Sequence, residues 1–129
     1  MTPELTVLTL AALLQVIQFS MYSATSVAQV GKKKAAGSRD TPMELTGTAG
    51  RLQRAMNNHF EALILFGIAC AVTSISGQST GFTATCAYVY LGARLLYVPA
   101  YVFGWVPWRS IIWLIGLLTT TFMLIAALL

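Results

Sequence analysis

A chain of 129 residues that is 57% hydrophobic and only 9% charged is too apolar for a soluble globular domain. Its mean hydropathy of +0.72 indicates an integral membrane protein of one domain, residues 1–129, in contact with the lipid bilayer. The net charge of +4 comes from basic residues that lie between apolar segments, so we expect no nucleic-acid partner. The chain has one histidine and two separated cysteines, a set that predicts no metal site.

The first helix is expected at about residues 5–30. Polar residues recur on it every three or four positions and form one stripe, which in a bilayer faces other helices. These residues are Gln15, Gln18, Tyr22, Thr25 and Gln29. A polar connection follows at residues 31–48 and carries Lys32, Lys33 and Lys34. Three adjacent lysines favour the cytoplasmic side of the membrane and attract anionic lipid headgroups.

The second helix is expected at about residues 49–76, and its first turns are charged. On a helix that turns about 100° per residue, four polar side chains share one face. They are Arg51, Arg54, Asn58 and Glu61. Ionisable side chains in a membrane are costly and indicate a functional site. The alternative is that Arg54 and Glu61 neutralise each other and hold two helices together. His59 falls off this face and is interpreted as a packing residue.

A tight, uncharged turn leads to the third helix at about residues 82–103, which must return antiparallel to the second. Tyr90, Arg94, Tyr97 and Tyr101 share one of its faces. Pro99 predicts a kink near residues 95–98. The fourth helix is expected at about residues 107–129, with Arg109 and Ser110 just inside its start. That helix end carries positive dipole character and unsatisfied N–H groups.

The pattern predicts an all-α, four-transmembrane-helix up-down bundle. All basic residues lie at or near the side that carries the first and third connections, so this side is expected to be cytoplasmic and both termini to lie on the other side. The converging polar residues suit a ligand with carboxylates and one ammonium group. Arg109 would lower the pKa of a ligand thiol because a cation stabilises the thiolate, and Ser110 would donate to the same sulfur. The apolar walls suit a lipophilic small molecule.

Three segments carry a resemblance to a known family. The spacing Arg51-x-x-Arg54-Ala55-x-x-Asn58-x-x-Glu61 resembles the helix-two signature of the MAPEG family, the membrane-associated proteins of eicosanoid and glutathione metabolism. The segment from Arg94 through Tyr97 to Tyr101 resembles the family's third helix, and Pro107 to Ser110 resembles the opening of its fourth. The compact loops and the Gly-Ser-Arg-Asp segment are similar to the small bacterial members.

The resemblance implies a homotrimer in the bacterial inner membrane that binds glutathione between subunits from the cytoplasmic side. By position, Arg109 would be catalytic with Ser110 as a helper, and the remaining residues would bind glutathione or support its site. These are Arg51, Arg54, Asn58, Glu61, Arg94, Tyr97 and Tyr101. The implied activity is that of a microsomal-type glutathione transferase or peroxidase acting on lipophilic electrophiles or hydroperoxides.

Two alternatives remain open on sequence grounds. Gly31 and the three lysines stand where active relatives often place an arginine, which fits a non-catalytic trimeric protein that binds lipid or a protein partner. A small four-helix multidrug exporter is the second alternative. Such a transporter needs a membrane-embedded carboxylate on a cation path, and the first helix has only Glu4 at its edge.

Overall fold

The computed structural model describes residues 1–31, 45–105 and 107–129, and within these ranges it contains four α-helices and no strand. The helices are α1 (Pro3–Val30), α2 (Gly47–Ile75), α3 (Gly81–Val102) and α4 (Trp108–Leu128). The all-helical class with four helices is therefore confirmed. The three adjacent lysines and most of the polar connection predicted between the first two helices lie outside the described residues.

Local hydrogen bonds explain where the helices begin. The hydroxyl of Thr2 accepts from the backbone N–H of Leu5, and Pro3 occupies the first turn, where a missing N–H costs nothing. The α1 helix therefore starts two residues before the predicted position. The α3 helix opens with a capping box, in which Thr80 and Thr83 each accept from the other's backbone N–H.

Glycines end two of the helices by the same mechanism. Gly77 after α2 and Gly104 after α3 have φ of +70° and +69°, a left-handed conformation that favours glycine. The N–H of the residue after each glycine bonds back into the last turn of the helix, in the Schellman arrangement. Pro99 lies inside α3 without ending it, and the helix continues to Val102.

Contacts at both ends of the helices define an up-down order. The hydroxyls of Thr2 and Ser74 lie 2.6 Å apart at one end of the α1–α2 pair, and Gln29 exchanges two hydrogen bonds with the backbone of Thr46 at the other. The α2 and α3 helices are also antiparallel, because Arg51 and Arg54 near the start of α2 bond to Val102 and Tyr101 at the end of α3. The α1 helix packs on α2 and α3, and α4 also packs on α2 and α3, but the backbones of α1 and α4 do not approach each other within the described residues.

One residue of the polar stripe predicted on the first helix makes hydrogen bonds to the start of another helix. Gln29 bonds α1 to the start of α2, whereas Thr25 bonds carbonyls of its own helix. Gln15 and Gln18 are buried, and side-chain polar atoms of both lack a hydrogen-bond partner among the described residues. The stripe therefore faces the bundle at Gln15 and Gln18, as expected for polar groups in a bilayer, whereas Tyr22 and Thr25 are half-buried and Gln29 is exposed.

A compact apolar core joins all four helices. It comprises Val7, Ala11, Phe66, Ala69, Cys70, Cys86, Ala87, Tyr90 and Met123. The rings of Phe66 and Tyr90 stack at 3.8 Å with an interplanar angle of 7°, which fixes α2 against α3. Both cysteines are free thiols that act here as small packing residues.

The outer surface is apolar along the helices, as in a protein that lies in lipid. The helices α1, α2 and α4 are long and apolar enough to cross a membrane, and α3 is not among the helices that meet this measure. Its tyrosines, threonines and Arg94 lower its hydropathy. The helical architecture and these three segments establish an integral membrane protein.

Glu4 provides a buried carboxylate at one end of the bundle. Glu4 has no exposed surface, and both of its oxygens accept from the Ser79 hydroxyl, at 2.9 and 2.8 Å. The hydroxyl of Thr83 donates to the same carboxylate. Glu4 lies in the first turn of α1 and beside the first turn of α3, where two helix N-termini stabilise negative charge. It therefore joins α1 to the start of α3.

Candidate functional site

The arginine-rich end of the bundle is organised around Arg94. Its side chain is 2% exposed, its Nε–H donates to Nδ1 of His59 at 3.1 Å, and its Nη1–H donates to Oδ1 of Asn58 at 3.0 Å. The ring centre of Tyr97 lies 4.4 Å from the guanidinium carbon. The Nη2 atom has no partner among the described residues. A buried charge is tolerated only when hydrogen bonds and polarisable groups surround it, and three residues provide that here.

His59 is a member of this cluster that the sequence did not reveal. It is fully buried, and its Nε2 lies 2.9 Å from the carbonyl oxygen of Ala11 on α1. Because a guanidinium only donates, Nδ1 must accept from Arg94, and Nε2 must carry the proton that goes to Ala11. The hydrogen-bond partners therefore assign the neutral tautomer. His59 is thus a satisfied packing residue, as its position off the charged face indicates, but nothing in the sequence shows that Arg94 depends on it.

Tyr101 contacts two arginines from different helices. The Nε–H of Arg54 donates to its hydroxyl at 3.1 Å, and the guanidinium carbon of Arg109 lies 4.7 Å from the centre of its ring. Both interactions hold charged groups of α2 and α4 against α3. Arg51 lies further out, where its Nη1–H donates to the carbonyl oxygen of Val102 at 3.1 Å. That carbonyl is one of the last in α3 and lacks a partner within the helix.

The alternative in which Arg54 neutralises Glu61 is not supported by the geometry. They are seven positions apart in the chain, which corresponds to about 10.5 Å of helix rise. Arg54 bonds to Tyr101 instead, and no ion pair joins it to Glu61 among the residues that the structure describes. Glu61 is exposed on the outer surface of the single chain and lines a cavity described below.

Two neighbouring cavities lie between α2, α3 and α4. The polar cavity has a volume of about 190 Å³ and is lined by Asn58, Tyr97, Arg109, Ser110 and Trp113. The second cavity, called the apolar cavity here, has a volume of about 160 Å³. Its lining includes Leu65, Tyr90, Trp113, Gly116, Leu117 and Thr120. Asn58 and Trp113 line both cavities, while Glu61 and Arg94 line only the apolar one.

The residues predicted from the sequence divide into two groups. Those that line a cavity are Asn58, Glu61, Arg94, Tyr97, Arg109 and Ser110. Those that line neither cavity are Arg51, Arg54 and Tyr101. Of these, Tyr101 and Arg54 remain connected to the polar cavity through the contact of Tyr101 with Arg109. Arg51 instead completes the end of α3.

The start of α4 differs from the sequence expectation in one respect. The N–H groups of its first residues were expected to be unsatisfied. In the structure the N–H of Arg109 donates to the carbonyl of Trp105 at 2.9 Å, and the N–H of Ser110 donates to the carbonyl of Pro107 at 3.1 Å. Trp105 and Pro107, which precede α4, supply these acceptors. The backbone N–H groups of Arg109 and Ser110 are therefore already bonded, and these two residues would hold an anion through their side chains, aided by the helix dipole.

Comparison with known proteins identifies the family of the chain. The model of the MAPEG family matches residues 7–129, nearly the whole chain. No curated protein and no solved structure matches the chain. The match includes every residue of both cavities and all of the arginine contacts described above. The chain belongs to the MAPEG family.

Proposed function

We propose that the protein is a glutathione-dependent integral membrane transferase or peroxidase that acts on lipophilic electrophiles or hydroperoxides. The observation that carries this proposal is the pair of cavities that share Asn58 and Trp113. A thiol in the polar cavity and an apolar molecule in the other cavity would meet at these two residues. Holding two reactants in one orientation is itself a large source of rate enhancement.

Arg109 and Ser110 are the proposed thiolate-stabilising groups. Arg109 is partly buried and rests on the ring of Tyr101, so its charge has a fixed position at the wall of the polar cavity. A cation in this position lowers the pKa of a bound thiol, and the Ser110 hydroxyl would donate to the same sulfur. The thiolate then attacks an electrophilic carbon, forms a C–S bond and expels the leaving group with its electron pair.

The rest of the tripeptide would lie towards α2. The bond from Nε of Arg54 to Tyr101 fixes the plane of its guanidinium, and the terminal N–H groups then suit a carboxylate in the bidentate geometry. Glu61 is exposed and would accept the ammonium group. Asn58, Tyr97 and Tyr101 would complete the site, with Arg51 and Arg94 in supporting positions.

A homotrimer would complete this site. Arg54 and Glu61 are exposed on a single chain whose helices carry apolar outer surfaces. An uncovered carboxylate and guanidinium at this depth are costly in a membrane, and a neighbouring protomer would cover them. Native mass spectrometry of the protein in detergent tests this assembly. A monomer that binds glutathione with full affinity would contradict it.

The proposal includes a single domain with four spans. The α3 helix has 22 residues, about 33 Å of helix, and its contacts with the other helices run from Thr83 at one end to Val102 at the other. It would therefore cross the membrane beside α2, shielded by its neighbours. The arginine-rich end would face the cytoplasm of a bacterial cell, with both termini on the opposite side of the inner membrane.

The test is titration of the purified protein with glutathione while thiolate absorbance is recorded. The parent protein is expected to form a saturable thiolate near neutral pH. Arg109→Ala should reduce its formation roughly 10- to 100-fold, the effect of losing one charged hydrogen-bond partner. Arg109→Lys should retain part of the signal because the charge remains. Ser110→Ala should give a smaller loss.

Thr121→Ala is the matched control for Ser110→Ala. It also removes a hydroxyl from α4, but Thr121 is exposed, bonds only to the carbonyl of Leu117 and lines neither cavity. It should leave the thiolate signal unchanged. Equal thiolate formation by Arg109→Ala and the parent protein would refute the role of Arg109.

The non-catalytic alternative has one observation in its favour. Arg51 and Arg94 direct N–H groups to partners within the chain, as purely architectural arginines would. A protein of this kind would bind lipid or a protein partner and would need no free cation at the polar cavity. Absence of both saturable glutathione binding and thiolate formation in the titration would favour it.

A further inference from the structure

We propose that Tyr97 is the proton donor when the protein reduces a hydroperoxide. This inference rests on the proposed function, because it assigns a further catalytic role in that reaction. When a thiolate attacks a hydroperoxide, the oxygen that leaves becomes an alkoxide, a strong base that takes up a proton. When it attacks an aryl chloride, the chloride ion leaves without one. A side chain that supplies a proton is therefore important for the first kind of substrate and not for the second.

Tyr97 lies in the wall of the polar cavity, beside the proposed thiolate-stabilising groups. It is 4% exposed and lines that cavity together with Arg109 and Ser110. Its ring has Arg94 over one face, and the ring of Tyr101 follows at a centroid distance of 5.7 Å. These two neighbours leave the edge of the ring, with its hydroxyl, as the part that reaches the cavity. Within the described residues that hydroxyl takes part in no hydrogen bond, whereas the hydroxyl of Tyr101 is already bonded to an arginine.

Arg94 makes Tyr97 a better proton donor. Its guanidinium carbon lies 4.4 Å from the centre of the Tyr97 ring, and His59 and Asn58 fix its orientation through hydrogen bonds of 3.1 and 3.0 Å. A cation held beside a phenol stabilises the negative charge that remains on the oxygen after proton transfer. Arg94 is 2% exposed, so water screens this interaction only weakly. The charge of Arg94 therefore gains a role in the reaction beyond packing.

The other residues that line the polar cavity are poorly suited to this step. Arg109 donates hydrogen bonds but keeps its proton under all conditions in which proteins are folded. The hydroxyl of Ser110 is a much weaker acid than a phenol, and the indole N–H of Trp113 is a hydrogen-bond donor only. The side-chain oxygen of Asn58 already accepts from Arg94, and its amide is not an acid. Among the lining residues, the phenol is therefore the group that can release a proton to an alkoxide.

The step conserves atoms and electrons. The glutathione thiolate attacks the terminal oxygen of the hydroperoxide, an S–O bond forms, and the O–O bond breaks with its electron pair on the inner oxygen. That oxygen takes the proton of Tyr97 and leaves as an alcohol, while the sulfur is oxidised to a sulfenic acid. A second glutathione thiol reacts with the sulfenic acid to give the disulfide and water. The Tyr97 phenolate recovers its proton from the next glutathione thiol that binds, which becomes the new thiolate.

The ratio of two reaction rates tests this role in the full chain in detergent. Both rates are measured at saturating glutathione, one with cumene hydroperoxide and one with 1-chloro-2,4-dinitrobenzene, whose chloride leaves without a proton. Tyr97→Phe keeps the ring beside Arg94 and removes the phenolic proton. The ratio of the hydroperoxide rate to the conjugation rate should therefore fall about 100-fold, the usual effect of losing a general acid. A loss of stability or of glutathione affinity lowers both rates together and leaves the ratio as it was.

Tyr88→Phe is the matched control, because it removes a phenolic hydroxyl from the same helix at a position that is 53% exposed and lines neither cavity. It should leave the ratio at the parent value. If Tyr97→Phe does not fold, as judged by circular dichroism, 3-fluorotyrosine at position 97 replaces it, and the more acidic phenol should change the ratio.

Two results overturn the inference while the proposed function stands. One is an unchanged ratio in the variant at position 97, and the other is a parent protein that conjugates 1-chloro-2,4-dinitrobenzene but does not reduce cumene hydroperoxide. A parent protein that forms no glutathione thiolate overturns the proposed function itself, and this inference with it. Thiolate absorbance, recorded without either electrophile, distinguishes that failure from the first two.

Discussion

Arg94 and His59 are joined by a hydrogen bond of 3.1 Å that reaches across the bundle, because the opposite ring nitrogen of His59 donates to Ala11 on α1. Three helices therefore determine the orientation of one guanidinium. No residue of α1 is among those that line the two cavities. Ala11 on α1 nevertheless accepts the hydrogen bond from His59, and His59 in turn accepts from Arg94. The site on α2, α3 and α4 depends in this way on a helix outside it.

Replacement of His59 tests this dependence. His59→Leu removes an acceptor from a buried guanidinium and a donor from a buried carbonyl, so we expect a loss of about 2–4 kcal/mol in stability, read as a lower thermal midpoint in detergent. His59→Gln keeps one acceptor and one donor and should lose less than half as much. If the leucine variant melted with the parent protein, the bond between Arg94 and His59 would not be important for stability.

The side chain of Tyr101 has two contacts, one through its hydroxyl and one through its ring, and two substitutions separate their effects. Tyr101→Phe removes the hydroxyl that accepts from Arg54 but keeps the ring beneath Arg109. We expect glutathione to bind roughly 5- to 10-fold more weakly, with the bound thiol still ionised, because one hydrogen bond contributes about 1 kcal/mol. Tyr101→Leu removes both contacts and should also reduce the bound thiolate.

Isothermal calorimetry measures the affinity in these variants and thiolate absorbance measures the ionised fraction. Identical behaviour of the phenylalanine and leucine variants in both measurements would show that the ring has no role of its own. A phenylalanine variant that binds glutathione as tightly as the parent would instead show that the orientation of Arg54 does not matter.

The sequence predicted those features that depend on neighbouring residues. The apolar segments and the short uncharged turn near Gly77 locate the helices, although α1 begins at Pro3, two residues before its predicted start. The shared face of Arg94, Tyr97 and Tyr101 follows from helical periodicity alone. Whether those side chains bind a ligand, however, depends on which neighbouring groups they contact, and periodicity does not specify that.

The features that the sequence did not reveal depend on contacts between distant residues. His59 meets Arg94 across 35 positions, and Glu4 meets Ser79 across 75. The N–H groups of Arg109 and Ser110 bond to the carbonyls of Trp105 and Pro107, an arrangement that no periodic pattern describes. A buried histidine or carboxylate must have partners, and this rule predicts that contacts exist without identifying them.

The buried carboxylate of Glu4 should be important for stability. Glu4→Leu removes the carboxylate that accepts from Thr83 and Ser79, which leaves the Thr83 hydroxyl only the carbonyl of Thr80, and it removes negative charge from two helix N-termini. We therefore expect a loss of about 2–4 kcal/mol. Ser79→Ala is the milder control, because Ser79 is exposed and Thr83 still donates to the carboxylate. Thermal midpoints in detergent compare the two. A larger loss in Ser79→Ala than in Glu4→Leu would contradict this account.

Gly50 and Gly67 on α2 should respond in opposite ways to alanine. A Cβ at Gly50 would lie 2.6 Å from the carbonyl oxygen of Leu45, a backbone atom that cannot rotate away, whereas a Cβ at Gly67 meets only Cδ1 of Leu8 at 3.8 Å. Gly50→Ala should therefore destabilise the protein by about 1–3 kcal/mol. Gly67→Ala should stabilise it by up to about 1 kcal/mol, through helix propensity.

The Gly50 variant should also affect the site, because Nη1 of Arg54 lies 3.3 Å from the same Cβ position. Displacement of Arg54 would lengthen its bond to Tyr101, so glutathione affinity should fall together with the thermal midpoint. In Gly67→Ala the affinity should stay at the parent value while the midpoint rises. Gly50→Ala protein with an unchanged midpoint would show that the segment around Leu45 shifts freely, and unchanged affinity at a lower midpoint would show that Arg54 does not need this position.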